Sequence, residues 1–280
     1  MIIFKKAGEA SSYLRGRQAE GRRLGFVPTM GALHDGHLSL VRAARAGNDL
    51  VACSIFVNPT QFNNAQDFQH YPITIEKDIE RLLASGCDVL FLPSVEEVYP
   101  PGHEKKHYDL GPLENRLEGR FRPGHFQGVC EVVDRLLSII GPDKLYMGQK
   151  DFQQCLVVRR LLELLNKEEE IELTVVPTER EVSGLAMSSR NLRLSDEERT
   201  AAAAIPAELN WIRTHLGDQP LRDLEQSAAE HLASQGFSVD YVAVAQASDL
   251  APGTSLDQPL VALAAASLGA VRLIDNLPLN

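Results

Sequence analysis

The sequence predicts an α/β protein, in which a parallel sheet with helices on both faces is followed by a smaller α+β unit with antiparallel strands. Three observations carry that expectation. Up to about residue 177, short β-rich apolar runs alternate with stretches of helical periodicity, the pattern of parallel strands joined by crossover helices. Polar, chemistry-bearing residues follow three of those runs directly, at the strand ends where an open parallel sheet binds its ligands. Beyond Arg190 the order changes, and helical patterns give way to alternating strands.

In chain order, the runs Leu24–Val27, Leu50–Phe56, Val89–Leu92, Lys144–Met147 and Leu173–Val176 are almost continuously apolar, as strands buried on both faces are. Helical patterns at Leu38–Ala46, Thr74–Ser85, Val129–Ile140 and Phe152–Leu165 separate or follow them, which gives a Rossmann-like arrangement. Ser195-Asp196-Glu197-Glu198 reads as an N-cap with an acidic first turn, and Pro206 predicts a kink or break in the Ala-rich helix behind it. A helix near Leu221–Ser234 stops at Gly236, and strands follow at Val239–Ala245, Leu260–Ala266 and Val271–Ile274. The expected division is a ligand-binding domain over 1–182 and a C-terminal lid over 183–280, with Gly184–Asn191 at the junction.

At 280 residues and 44% hydrophobic content, the chain can fill two cores. The formal charge of -10 argues against a nucleic-acid backbone as partner, because such binding normally leaves a basic face. No apolar run approaches the roughly 20 residues needed to cross a bilayer, and Met1–Lys6 lacks a signal-peptide core, so no membrane partner and a cytoplasmic location are expected. Cys53, Cys87, Cys130 and Cys155 are scattered through apolar runs without a C-x-x-C pair, and they read as buried reduced thiols. No cluster with metal-ligand spacing is visible in the sequence.

The densest signal is Pro28-Thr29-Met30-Gly31-Ala32-Leu33-His34-Asp35-Gly36-His37. A strand that ends in a Gly-containing turn and feeds a helix directs backbone N–H groups and the positive helix end into one pocket, which favours phosphate. Two imidazoles at its mouth can donate hydrogen bonds to a polyphosphate and offset the charge that builds when a bond to phosphorus breaks. The plainer reading is that His34 and His37 cap and line the turn.

This HxGH pattern resembles that of the adenylyl-transferring α/β superfamily, which includes class I aminoacyl-tRNA synthetases and nucleotidylyltransferases. Three further segments narrow the resemblance: Ser54-Ile55-Phe56-Val57-Asn58-Pro59-Thr60-Gln61-Phe62, Gly148-Gln149-Lys150-Asp151-Phe152-Gln153-Gln154 and Gly184-Leu185-Ala186-Met187-Ser188-Ser189-Arg190-Asn191. With them the chain resembles the pantoate–β-alanine ligases (pantothenate synthetases), from about Phe26 to the close Leu273-Ile274-Asp275-Asn276.

The resemblance implies ATP-dependent condensation of pantoate with β-alanine through a pantoyl adenylate, in a homodimer. It implies catalytic roles for His34, His37 and Lys150, with His37 as proton donor. ATP contacts are implied at Met30, Gly31, Ala32, Leu33, Asp35 and Gly36 of the first loop, at Gly148, Gln149 and Asp151 of the second, and at Glu179, Met187, Ser188, Ser189 and Arg190. Asp151, acceptor-only when ionised, suits ribose hydroxyls, and Mg²⁺ would arrive on the phosphates. Gln61, Gln154 and Asn58 are implied as substrate contacts; an amide that both donates and accepts suits the hydroxyls of pantoate. Phe56 and Phe62 read equally as walls for the methyl groups or as core, and Gln153 should point away from the site.

Asp78, Arg122 and His125 are left open by spacing alone. Ser183 stands where the family usually carries an acidic residue, and Ile73 where a basic one is common. Two other readings stand beside the ligase. A nucleotidylyltransferase would need a further basic cluster for its phosphorylated acceptor, and a non-catalytic nucleotide-binding protein would have lost phosphate ligands.

Overall fold

The computed structural model describes residues 1–63 and 65–280. In chain order it runs β1 (Ile2–Phe4), α1 (Ala7–Ala19), β2 (Leu24–Thr29), α2 (Asp35–Gly47), β3 (Leu50–Ile55), α3 (Ala65–Gln69), α4 (Ile75–Ala84), β4 (Val89–Phe91), α5 (Val95–Val98), α6 (Leu117–Phe121), α7 (His125–Ile140), β5 (Lys144–Gly148), α8 (Phe152–Leu164) and β6 (Glu172–Val176). It then continues as α9 (Asp196–Ala201), α10 (Ala204–Thr214), α11 (Leu221–Ser234), β7 (Ser238–Gln246), β8 (Leu260–Leu268) and β9 (Val271–Pro278). Short 3₁₀ turns lie at Pro59–Gln61, Gln149–Asp151 and Ser189–Arg193.

The first six strands form one all-parallel sheet in the order β1-β4-β3-β2-β5-β6. Strand alternation feeds two cores at once. Phe26, Ala52, Val89, Phe91, Leu145 and Met147 point to the layer containing α1, α7 and α8, whereas Val27, Val51, Cys53, Leu90 and Tyr146 point to the layer containing α2 and α4. That two-sided burial is why the strands read as unbroken apolar runs. The chain steps outward from β2 through β3 to β4 and then returns to place β5 on the other side of β2. The order therefore reverses between β2 and β5, and their carboxyl ends frame a crevice.

β7, β8 and β9 form a separate antiparallel sheet. Leu260, Ala262, Ala264 and Ala266 of β8 meet the helices α10 and α11 on one face. Val261 and Leu263 on the other face pack with Leu156 of α8, Ala245 and Leu250, so the antiparallel sheet shares an apolar seam with a helix of the parallel-sheet layer.

β1 and α1 have no counterpart in the sequence reading. β1 is three residues long, and α1 buries only Ala10 and Leu14, too little apolar content to register as periodicity. Helix α7 starts four residues before its apolar pattern, because Gly124 takes the left-handed conformation (φ 79°) and turns the chain into the helix. The break expected at Pro206 falls just ahead of it. α9 ends at Ala201 and Pro206 occupies the first turn of α10, where its missing N–H has no intrahelical partner to lose. Ser195 caps α9 as expected, accepting from Glu198 N at 3.2 Å while its own N–H donates to Glu198 Oε2 at 2.9 Å. All four cysteines are free and buried.

Candidate active site

The crevice between the ends of β2 and β5 opens into a cavity of about 210 Å³. On the β2 side, the chain leaves Thr29 and turns through Gly31 (φ 82°) and Ala32 (φ 48°). A left-handed alanine is strained by roughly 1–2 kcal/mol, and Asp78 holds it in place. That carboxylate, 1% exposed on α4, accepts Ala32 N–H at 2.9 Å and Leu33 N–H at 2.8 Å, with the Thr74 hydroxyl at 3.1 Å. Asp78 thus belongs to the scaffold of the loop. Gly31, Ala32, Leu33 and Asp35 lie outside the lining of the cavity, and two of their N–H groups are already used by Asp78.

His34 is the N-cap of α2, and its backbone N–H donates to Nδ1 of His37 at 3.3 Å. The two rings stand 4.0 Å apart between centroids. Capping the turn and facing the cavity are therefore compatible, since both rings also line it. Gly36 is required between them, because a Cβ there would lie 2.9 Å from the His34 ring. Burial, followed by the charge of Lys150, pushes His34 down to about 4. Burial, then His34, then Lys150 hold His37 well below the usual histidine range. Both are neutral near pH 7. With Nδ1 of His37 accepting, its proton sits on Nε2. Nδ1 of His34 is buried without a partner among the described residues, as is Oγ1 of Thr178, another cavity-lining group.

On the β5 side, the turn Gln149–Asp151 presents Lys150, whose Nζ lies 3.6 Å from Asp151 Oδ1. The turn is fixed from β9. Nδ2 of Asn276, 1% exposed, donates to the carbonyls of Gln149 and Lys150 at 2.9 Å each, and Gln149 Nε2 returns a bond to Asn276 Oδ1 at 3.3 Å. The Gln149 side chain is accordingly turned from the cavity, whereas Gly148, Lys150 and Asp151 line it.

The segment after Arg180 closes the other wall with Met187, Ser188, Ser189 and Arg190, joined by Glu179 just before it. Ser189 Oγ donates to Ala32 O at 3.0 Å, a direct tie to the HxGH loop. Arg190 is paired with Asp67 at 2.7 Å, which Arg193 also contacts at 3.0 Å.

Opposite the imidazoles, α7 and the turn Pro59–Gln61 build a less polar wall. Gly128 lets them touch, since a Cβ there would meet Thr60 O at 2.3 Å. Gln61 Nε2 donates to Met30 Sδ at 3.1 Å and its Oε1 accepts from Asn58 Nδ2 at 3.2 Å. Asn58 is fully engaged, giving its second amide hydrogen to Gly128 O and accepting from Tyr99 Oη at 2.9 Å. Gln154 lines the cavity, and its side chain makes no hydrogen bond with another described residue. Val129, Val132, Val133 and Leu136 of α7 line it with Phe56, whereas Phe62 packs edge-on against Phe68 and Tyr71 outside it. Gln153 turns away and binds Glu118 N, Leu113 O and Arg116 O. Ile73 is 73% exposed and Ser183 lies in a surface turn, so neither departure from the family pattern enters the cavity.

His125, 6% exposed, bridges two elements, with Nδ1 at 2.8 Å from Gln61 O and Nε2 at 3.1 Å from Arg122. Burial, then Arg122, pushes it down to about 4. His34, His37 and His125 stay neutral in the fold, while unfolded histidine titrates near 6.5, and this sets a sign for acid stability. Between about pH 6.5 and 4 the unfolded chain binds more protons at these sites, so stability is present above that window and lost as pH falls through it. The expected result is a lower Tm at pH 5 than at pH 7; an equal or higher value at pH 5 would contradict the buried neutral state.

A parallel sheet whose switch point carries an HxGH turn on one strand end and a lysine-bearing turn on the next defines the adenylyl-transferring α/β class. Comparison with known proteins narrows this. The family profile described as pantoate-beta-alanine ligase matches residues 2–278. A pantothenate synthetase of Alcanivorax borkumensis is 46% identical over 273 residues, covering 97% of this chain and 95% of its own. One from Pseudomonas fluorescens is 43% identical over 283 residues, covering 100% and 98%. Among solved structures, the pantothenate synthetase of Thermus thermophilus superposes with a TM-score of 0.93 at 40% identity, covering 100% of this chain and 99% of that one. The pantoate-beta-alanine ligase of Francisella tularensis does so with a TM-score of 0.84 at 36% identity, covering 99% and 97%. The chain belongs to the pantoate–β-alanine ligase family.

Proposed function

We propose that the protein condenses pantoate with β-alanine using ATP, releasing AMP and pyrophosphate through a pantoyl adenylate. The observation that carries this reading is one cavity with two chemistries: imidazoles and cations at the β2–β5 switch point, and neutral amides with aliphatic side chains along α7. The first suits a triphosphate. The second suits an acid with hydroxyls and paired methyl groups. The Francisella tularensis relative was solved with "beta-gamma ATP" and β-alanine, and both ligand types are carried to this chain as substrates.

In this reading a pantoate carboxylate oxygen attacks the α-phosphorus, the bond to the bridging oxygen breaks, and pyrophosphate leaves with that electron pair. The β-alanine nitrogen then attacks the acyl carbon, AMP departs, and the nitrogen loses its proton. Neutral His37 contributes as a hydrogen-bond donor through Nε2, and Lys150 as a compact charge on the shifting phosphate oxygens. Ser188, Ser189 and Arg190 hold the outer phosphates, Asp151 the ribose, and Met30, Gly148, Glu179 and Met187 the rest of the nucleotide. Gln61 and Gln154 hold pantoate, and Asn58 serves by fixing Gln61. Mg²⁺, a small hard cation that keeps several waters, would be carried on the phosphate oxygens.

Residues 183–280 act as a lid over the nucleotide, supported by the Ser189 bond to Ala32 and the Asn276 bonds to the lysine turn. A homodimer is proposed from the family resemblance. A cytoplasmic location fits four free buried thiols; no helix among the described residues is long and apolar enough to cross a membrane. AMP transfer to a phosphorylated acceptor is not favoured, because the relatives are pantothenate synthetases and α7 offers that acceptor an aliphatic wall. The test is isotopic. With heavy oxygen in the pantoate carboxylate, one label per turnover is expected in AMP; ADP and phosphate as products would contradict the adenylate.

A further inference from the structure

Arg122 stands where three concavities meet. It lines the main cavity, a small pocket beside Gln154 and Tyr241, and a polar mouth of about 660 Å³, and all three also contain Lys150 and Asp151. Its side chain is 19% exposed. Every other cation at this junction has a carboxylate. Lys150 has Asp151, Arg190 and Arg193 share Asp67, and Arg272 takes both oxygens of Glu118 and one of Asp240.

Arg122 does not. The nearest carboxylate oxygen, Oε2 of Glu118, is 3.9 Å away and already accepts from Arg272 at 2.8 Å. The other oxygen accepts from Arg272 at 2.7 Å and from the Tyr241 hydroxyl at 2.9 Å. The Arg122 guanidinium instead hydrogen-bonds the neutral ring of His125 at 3.1 Å. Since arginine only donates, Nε2 of His125 accepts, and its Nδ1–H donates to Gln61 O. Burial pulls Arg122 down to about 10, with Glu118 and Asp67 offsetting it in part and the like charges of Arg190 and Arg272 adding to it. A cation withdrawn from water and only partly balanced by carboxylates that are engaged elsewhere is costly unless an anion arrives to meet it.

The proposed reaction brings three anions to this cavity. The triphosphate has His34, Lys150 and Arg190. The pantoate carboxylate must lie at the α-phosphorus and loses its charge on adenylation. The β-alanine carboxylate does not react, so it needs a permanent cation, placed so that an amine two methylenes away reaches the acyl carbon. Arg122 is one imidazole removed from Gln61, the residue assigned to pantoate, and shares its cavity with Gln154. We propose that Arg122 is the docking residue for the β-alanine carboxylate and thereby sets the amine specificity of the second half-reaction. Its planar fork suits a carboxylate held by two parallel bonds.

This inference rests on the ligase reading, and the test separates the two. The probes are β-alanine and propylamine, which replaces the carboxylate with a methyl group, assayed alongside pantoate-dependent ATP–pyrophosphate exchange, in which no amine takes part. The wild-type enzyme should favour β-alanine by at least roughly 100-fold in kcat/KM. Arg122→Gln should lower kcat/KM for β-alanine by roughly 10- to 100-fold, and leave propylamine use and the exchange rate within about threefold. A merely structural defect would lower all three together and overturn the proposal. Loss of exchange with a raised KM for ATP would also overturn it, by assigning the guanidinium to polyphosphate. Should Arg122→Gln fail to fold, Arg122→Lys, which keeps charge but not the fork, is read in the same way. Wild-type use of propylamine within tenfold of β-alanine would refute it without any variant. Absence of exchange in the wild-type enzyme would instead reject the ligase reading itself.

Discussion

His37→Ala and Lys150→Ala are each expected to lower kcat by roughly 10² to 10³ with the fold retained. The size follows from where the two groups sit. His37 is fixed by the backbone N–H of His34, so its Nε2–H is aimed before substrate arrives, and Lys150 is held on a turn that Asn276 pins through two carbonyls. Preorganised donors in a cavity shielded from water act on developing charge without reorganising. The cost to folding should be modest, because truncating Lys150 leaves those backbone bonds intact and truncating His37 frees one N–H at a helix start. Steady-state kinetics with a thermal melt on each variant provide the check, and a fall of less than about threefold would mean that these side chains are structural.

Gln61→Ala is expected to weaken pantoate selectively, by roughly 1–3 kcal/mol, with ATP binding unchanged. Its amide lies between Met30 Sδ and Asn58 Nδ2, and Asn58 keeps Gly128 O as a partner when Gln61 is truncated. The loss therefore falls on the substrate hydroxyl left unpaired. Two titrations decide it: ATP alone, and pantoate in the presence of a non-hydrolysable ATP analogue. Equal weakening of both ligands, or loss of ATP binding alone, would remove Gln61 from the pantoate site.

The fold was legible where physics leaves a repeated mark. Strands buried on both faces read as apolar runs, and the reversal of strand order put the His34–His37 turn and the Lys150 turn at adjacent strand ends. α1 escaped because a helix burying two side chains has almost no periodicity. Site residues were legible when they came in motifs. Asp78 could be named but given no role, and Asn276 stood only in the closing segment of the resemblance, because each acts through backbone groups of a loop remote in sequence, and only the folded chain brings Asp78 to Ala32 or Asn276 to Lys150. Arg122 and His125 could be quoted from the sequence but given no role. Their meaning lies in a charge balance and a tautomer that depend on Glu118, Arg272 and Gln61. Thr178 carried no signal at all, and only its buried, unpartnered hydroxyl draws notice to it.

Exchange of labelled pyrophosphate into ATP by the wild-type enzyme decides whether the acid is activated as an adenylate. If the carboxylate is activated before the amine attacks, exchange should require pantoate, proceed without β-alanine, and fall to background when pantoate is omitted. Exchange that is absent with pantoate and ATP in an enzyme that still forms product would contradict the adenylate, and exchange without pantoate would mean that the acid is not the group activated.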